Sequence, residues 1–324
     1  MRVNIHIAAA AILMLFACGC EKKNGYQVFS GYAQGGTYRI TADLGNCRLD
    51  RSELAAGIDS VLNRVDSCFS GYNRNSYLSR RNRGETLSPD ALFDTLVSIS
   101  ERFKELSSGA FDVASAPLFD IWGFGFTRDS LPPESAIEAA KELCKEGKML
   151  NFNAIAQGFT CDLVAAYLHS AGVRNMLVDI GESYCEGVNA SGRPWSIGID
   201  TPEDGNNVPG ASLSGIWRSD GGSHGVVTSG NYRKFYVHDG KKYAHTIDPR
   251  TGYPVQHNLL SATIVAKDAT DADAYATYCM VIGLDKAKEF IERSPDDLAG
   301  YLIYADENGE MHEWASANFN LSKR

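Results

Sequence analysis

The segment DADAYAT at 271–277 constrains this chain more than any other. It predicts a helix over Thr270–Ile282 in which Asp273 and Thr277, four residues apart, share a face. Ala272, Ala274 and Ala276 keep that helix slim, as close approach of a ligand requires. Upstream, residues 228–255 read TSGNYRKFYVHDGKKYAHTIDPRTGYPV, a turn-rich stretch of hydroxyls, cations and His245. A polar loop followed by a carboxylate and a hydroxyl at helical spacing suits a divalent cation held against a phosphate ester. On these residues alone, a surface Asp and a Thr bonded back to its own helix remains open.

The chain of 324 residues is 44% hydrophobic and 22% charged, which fits a globular protein with a sizeable core. Its net charge of -9 excludes a basic nucleic-acid footprint. Arg2, the apolar run Ile5–Ala17 and then Cys18-Gly19-Cys20 form a secretory signal with a lipobox-like end. Either Cys18 or Cys20 would carry the lipid, giving a periplasm-facing, membrane-anchored protein. Residues 21–34 are polar and read as a tether, leaving 35–324 as the folded domain. The remaining cysteines form no C-x-x-C pair and read as small buried hydrophobes.

Helical stripes run through Asp50–Phe69, with an Asp50/Glu53 capping box, from Ser88-Pro89 to Leu106, through Pro133–Glu146, Ile155–Ala171 and Asp285–Arg293. In the second of these, Leu92, Leu96, Ile99, Phe103 and Leu106 face inward. Strand patterns cover Thr37–Leu44, Asn175–Ile180, Trp195–Ile199, Val226–Thr228, Arg233–His238, Lys241–His245 and Ser261–Lys267. Asp239-Gly240 and Asn308-Gly309 mark hairpins. Mixed helices with hairpin-linked strands predict an α+β fold with a largely antiparallel sheet and a single catalytic domain.

Several weaker signals accompany the helix motif. Asp248-Pro249-x-Thr251-Gly252 is a turn, and Thr228-Ser229-Gly230 could cradle phosphate oxygens. Tyr72 and the aromatics of GAFDVASAPLFDIWGFG (109–125) could stack on a flat ring or fill the core. In order along the chain, these segments, with NFNAIAQGFTCDLVAAYL (151–168), LVDIGES (177–183) and HTIDPRTGYPV, resemble the successive motifs of the ApbE family of flavinyltransferases.

That resemblance implies binding of FAD and one Mg²⁺. The metal ligands would be the Ala154 carbonyl, Asp273 and Thr277. Flavin and nucleotide contacts would come from Tyr72, Ala110, Phe111, Asp112, Asn151, Gln157 and Ile247, with Thr228, Ser229, Gly230 and His245 near the pyrophosphate. The implied reaction moves FMN from FAD to a Thr or Ser hydroxyl of an exported or membrane redox protein. The usual acceptors are subunits of NADH:quinone or ferredoxin-linked ion pumps. AMP leaves, and Asp273 and His245 are candidate bases. Hydrolysis of FAD to FMN and AMP is the alternative activity, and a non-catalytic flavin-binding lipoprotein is a third reading. The chain departs from the family pattern at Gly35, Asn151, Gln157 and Glu182-Ser183.

Overall fold

The computed structural model describes residues 25–125, 131–203, 206, 208, 210–232, 235–294 and 298–322. The signal segment, Cys18, Cys20 and Arg233 lie outside them. Strands β1 (Tyr26–Ala33) and β2 (Gly36–Asp43) come first. Helices α1 (Arg51–Phe69), α2 (Tyr77–Asn82) and α3 (Ala91–Leu106) follow, then a 3-10 turn at Val113–Ser115. Next come α4 (Ala116–Ile121), α5 (Glu134–Lys145) and α6 (Ala156–Ser170). The strands β3 (Met176–Asp179), β4 (Ser183–Glu186), β5 (Ser196–Asp200), β6 (Leu213–Arg218) and β7 (His224–Gly230) lead to the hairpin β8 (Phe235–His238) and β9 (Lys241–Ala244). Short β10 (Ile247–Asp248) and β11 (Tyr253–Pro254) precede β12 (Leu259–Ala266). The chain closes with α7 (Ala269–Ile282), α8 (Leu284–Glu292), β13 (Ala299–Ala305), β14 (Met311–Ala315) and β15 (Leu321–Ser322).

The α+β expectation holds. Eight strands form one sheet in the order β1-β2-β3-β4-β7-β12-β13-β14, and every neighbouring pair is antiparallel. Alternation along the strands sorts side chains to its two faces. Val227, Ile264 and Leu302 meet α7 and α8, while Val226, Val265 and Tyr301 cluster with Trp217 of the small sheet β15-β6-β5 and with Trp195, just before β5. Helices α1 and α6 cover the β2–β3 end through Leu54, Ile58, Val164 and Leu168.

Local chemistry explains several helix starts. The Asp50/Glu53 capping box is present, with Asp50 Oδ1 accepting from Ser52 and Glu53 N–H and Glu53 Oε2 accepting from Asp50 N–H at 2.9 Å. Helix α3 starts later than its Ser88-Pro89 signal, because Asp90 accepts the N–H groups of Leu92 and Phe93 and is the better cap. Leu106, expected inward, is 47% exposed at the last residue of α3. The tether expectation at 21–34 needs correction: Tyr26–Ala33 pairs residue for residue with β2 as an edge strand. An edge strand makes backbone bonds on one side only, so polar residues and Gly31 suffice to build it. The six described cysteines are free thiols, five of them buried.

Helix α7 sits at the centre. It packs on α6, β7, β12 and α8, and its buried side chains include Ala272, Ala274, Ala276 and Met280. Close packing needs bare backbone on both neighbours. A Cβ on Gly158 of α6 would lie 2.1 Å from the Ala269 carbonyl oxygen and 2.8 Å from Asp273 Cβ. A Cβ on Gly225 of β7 would lie 2.2 Å from the Asp268 carbonyl. Gly158→Ala is therefore expected to destabilise the protein by about 3 kcal/mol or more in urea titration, through forced separation of α6 and α7. Gly36→Ala, with open space around it, should stay within about 0.5 kcal/mol of wild type. Equal stability of the two variants would contradict this packing.

Candidate active site

A cavity of about 260 Å³ opens where α7, the α6 N-terminus and the end of β7 meet. Its walls include Ala110, Phe111, Asp112, Asn151, Ala154, Gln157, Thr228, Ser229, Gly230, His245, Ile247, Asp273 and Thr277. Every site residue expected from the sequence is there except Tyr72. That side chain is 72% exposed and lines an adjoining cavity of about 350 Å³, which shares Asn151 and Asn153 with the first. The loop after α1 lines that adjoining cavity through Gly71 and Tyr72 and contributes no residue to the central one. Asn153, Glu182, Tyr232 and the apolar Phe119, Met280 and Val281 also line the central cavity. Met280 and Val281 lie on α7 beyond Thr277 and were legible as apolar helix positions, not as cavity walls.

Asp273 is only 4% exposed, and its Oδ2 accepts the Gly158 N–H at 3.0 Å. Gly158 lies in the first turn of α6, where backbone N–H groups have no partner inside the helix. The first intrahelical bond runs from Phe159 N–H to the Ile155 carbonyl, so the Ala154 carbonyl stands just outside the ladder. Burial pushes the Asp273 carboxyl up to about 7, against the lowering effect of the Gly158 hydrogen bond, and the Asp162 charge raises it further. A buried carboxylate with one described hydrogen bond is under-satisfied, and a hard cation is its usual remedy. Asp273, Thr277 and Ala154 all line the cavity, and a carboxylate, a hydroxyl and a backbone carbonyl are the oxygen-only donor chemistry that fits Mg²⁺. The three-ligand cluster Asp306, Glu310 and His312 belongs to the β13–β14 hairpin, and none of its members lines the cavity. There Asp306 Oδ1 accepts the Asn308 and Glu310 N–H groups, so it serves the turn.

The other walls are fixed from several directions. Asp112 caps the 3-10 turn through Ala114 N–H and pairs with Lys104 at 3.0 Å. Asn151 accepts the Asn153 N–H at 2.8 Å and donates its own N–H to the Val113 carbonyl. Gln157 donates to the Ile180 carbonyl at 3.3 Å beside the Gly181 turn. The Thr228 hydroxyl meets Thr263 Oγ1 at 2.8 Å, leaving Ser229 and Gly230 as the β7 end of the wall. Asp248 holds Arg250 at 2.7 Å and accepts the Gly252 N–H through its carbonyl, so the Asp-Pro-x-Thr-Gly turn forms as expected. That turn is clamped by Trp122, whose Nε1–H donates to the Gly252 carbonyl at 2.8 Å. His245 and Ile247 thereby face the cavity from a braced loop, with the His245 ring edge-on to Phe124.

The raised Asp273 pKa has a stability consequence. Between its unfolded value of 3.8 and its folded value of about 7, the folded protein holds a proton that the unfolded chain releases. This group's contribution to stability is therefore greatest at low pH and falls as pH rises through that window. In EDTA, the Tm of wild type relative to Asp273→Asn should decline from pH 5 to about pH 7 and then level off. A difference that is flat or rises with pH would contradict the buried, under-satisfied carboxylate.

The family model for the ApbE family matches residues 35–302. An FAD:protein FMN transferase of Vibrio cholerae is 34% identical over 343 residues, covering 99% of each chain. The FAD:protein FMN transferase of Escherichia coli (strain K12) is 31% identical over 356 residues, covering 98% of this chain and 97% of its own. The solved flavin transferase ApbE from Vibrio cholerae superposes with a TM-score of 0.77 at 30% identity, covering 91% of this chain and 98% of that one. A match across nearly the whole folded chain makes this protein a member of the ApbE family.

Proposed function

We propose that the protein transfers FMN from FAD to a Thr or Ser hydroxyl of an exported or membrane redox protein and releases AMP. The observation that carries this reading is the Asp273–Gly158 contact. It buries a carboxylate with one described hydrogen bond at a cavity that Thr277 and Ala154 also line, and that is large enough to admit part of a dinucleotide. The names of the relatives support flavin transfer. Their similarity spans nearly the whole chain, so the activity is proposed for the whole chain.

Ala154, Asp273 and Thr277 would hold Mg²⁺. Bound there, the ion would neutralise charge on the diphosphate. The chain's own groups do the rest. Ser229 and the end of β7 offer polar contacts to phosphate oxygens, while Phe119, Tyr232, Met280 and Val281 limit the entry of water. The adjoining cavity at Tyr72 gives the dinucleotide room to extend past Asn151 and Asn153. In transfer, the acceptor oxygen bonds to the phosphorus nearer the flavin, the bond to the AMP phosphate breaks, and the hydroxyl proton passes to a base. Asp273 has one oxygen committed to Gly158 and the other offered to the cation, so His245 is the better placed of the two candidate bases.

Hydrolysis of FAD to FMN and AMP keeps one observation in its favour. Tyr72, which could have shielded the reacting bond from water, lies off the central cavity and is largely exposed. The N-terminal pattern supports a lipid-anchored, periplasm-facing enzyme modified at Cys18 or Cys20. Incubation with FAD, Mg²⁺ and an acceptor domain should add one FMN phosphoester to the acceptor by intact-mass spectrometry. Asp273→Ala should slow that labelling on the order of 100-fold, the scale of losing one electrostatic contact to developing charge. Labelling at the wild-type rate by a folded Asp273→Ala protein would remove the metal assignment. Free FMN as the sole product, with acceptor present, would favour the hydrolase.

A further inference from the structure

Two carboxylates cross between α6 and α7, and only one of them faces the cavity. Asp162, one turn beyond Gly158 on α6, accepts the N–H groups of Ala269 at 2.9 Å and Thr270 at 2.8 Å, and also the Thr270 hydroxyl. These are the first two residues of α7. The helix already has its own cap, because Asp268 accepts the Asp271 N–H at 2.8 Å. Starting α7 therefore does not require Asp162. What Asp162 adds is position, since it ties the first turn of α7 to a fixed point on α6.

The second tie lies one turn further along α7, where Asp273 meets the Gly158 N–H. Two ties spaced a turn apart on both helices fix the rotation of α7 about its axis as well as its height. Rotation decides the site, because Asp273 and Thr277 reach the cavity only while the face they share is turned towards it. We infer that Asp162 is the positioning residue of the cation site, holding α7 at the rotation where Asp273, Thr277 and the Ala154 carbonyl converge. The inference rests on the metal reading of the cavity. Outer partners that orient metal ligands commonly carry about 10- to 100-fold of the metal affinity.

Asp162→Asn tests it. The side chain keeps its size, but its amide nitrogen would turn a donor towards backbone donors, so one tie is lost. In FAD-free protein, Mn²⁺ binding followed by electron paramagnetic resonance should weaken by about 10- to 100-fold. The KM for FAD at saturating Mg²⁺ should stay at the wild-type value. Asp162→Glu should recover part of the Mn²⁺ affinity. Ile291→Ala, which empties core space under α8, should lower Tm without moving Mn²⁺ affinity. If Asp162→Asn does not fold, Thr270→Val, which removes only the hydroxyl bond, should still weaken Mn²⁺ binding several-fold. Unchanged Mn²⁺ affinity in the folded variant tested would overturn the positioning role alone. Absence of Mn²⁺ binding by wild type would overturn the metal reading beneath it.

Discussion

Each of two helices completes the N-terminus of the other. Helix α6 gives its spare Gly158 N–H to Asp273 of α7, and α7 gives the N–H groups of Ala269 and Thr270 to Asp162 of α6. Helix starts need such partners wherever water is excluded. Here the partners are carboxylates on the neighbouring helix, so local satisfaction and tertiary register become one requirement. The consequence reaches the cavity directly. Asp273 is buried at a helix junction with one described hydrogen bond, beside the cavity. Gly158 and Gly225 are the steric condition for this arrangement, since side chains there would push α7 off α6 and β7.

Much of this was legible in the sequence. The helical spacing of Asp273 and Thr277 places both on the cavity wall, and the Ala residues between them are buried against their neighbours. The Asp50/Glu53 box and the Asp239-Gly240 hairpin formed as local chemistry dictates. What escaped was set by distant partners. Strand β1 carries no strong alternation of its own and becomes a strand only because β2 offers an edge. Strands β4 and β6 and the short helices α2 and α4 also went unseen, since segments of four to six residues contain little periodicity. Tyr72 was assigned with the central site and sits in the adjoining cavity, because a loop's path cannot be read from its residues. The role of Asp162 was invisible for the same reason, as nothing near it in sequence marks Ala269 and Thr270 as its partners.

The departures from the family pattern acquire places in the structure. Asn151 braces its own loop through the Asn153 N–H, and Gln157 bonds to the Ile180 carbonyl, so both act as neutral struts of the wall. Glu182 lines the same cavity and its carboxylate accepts the Thr228 N–H at 3.4 Å. None of the three displaces Asp273, Thr277 or Ala154. All of these residues line the same cavity.

The central claim is that the α6–α7 junction builds a cation site under the dinucleotide. Anomalous diffraction from crystals of the protein grown with FAD and Mn²⁺ tests it most directly. The account predicts a strong manganese peak beside the Ala154 carbonyl, Asp273 and Thr277, next to the FAD diphosphate, with the Asp162 contacts to Ala269 and Thr270 unchanged. Manganese bound only at the Asp306, Glu310 and His312 hairpin, with FAD seated in the cavity and no peak beside Asp273, would contradict it.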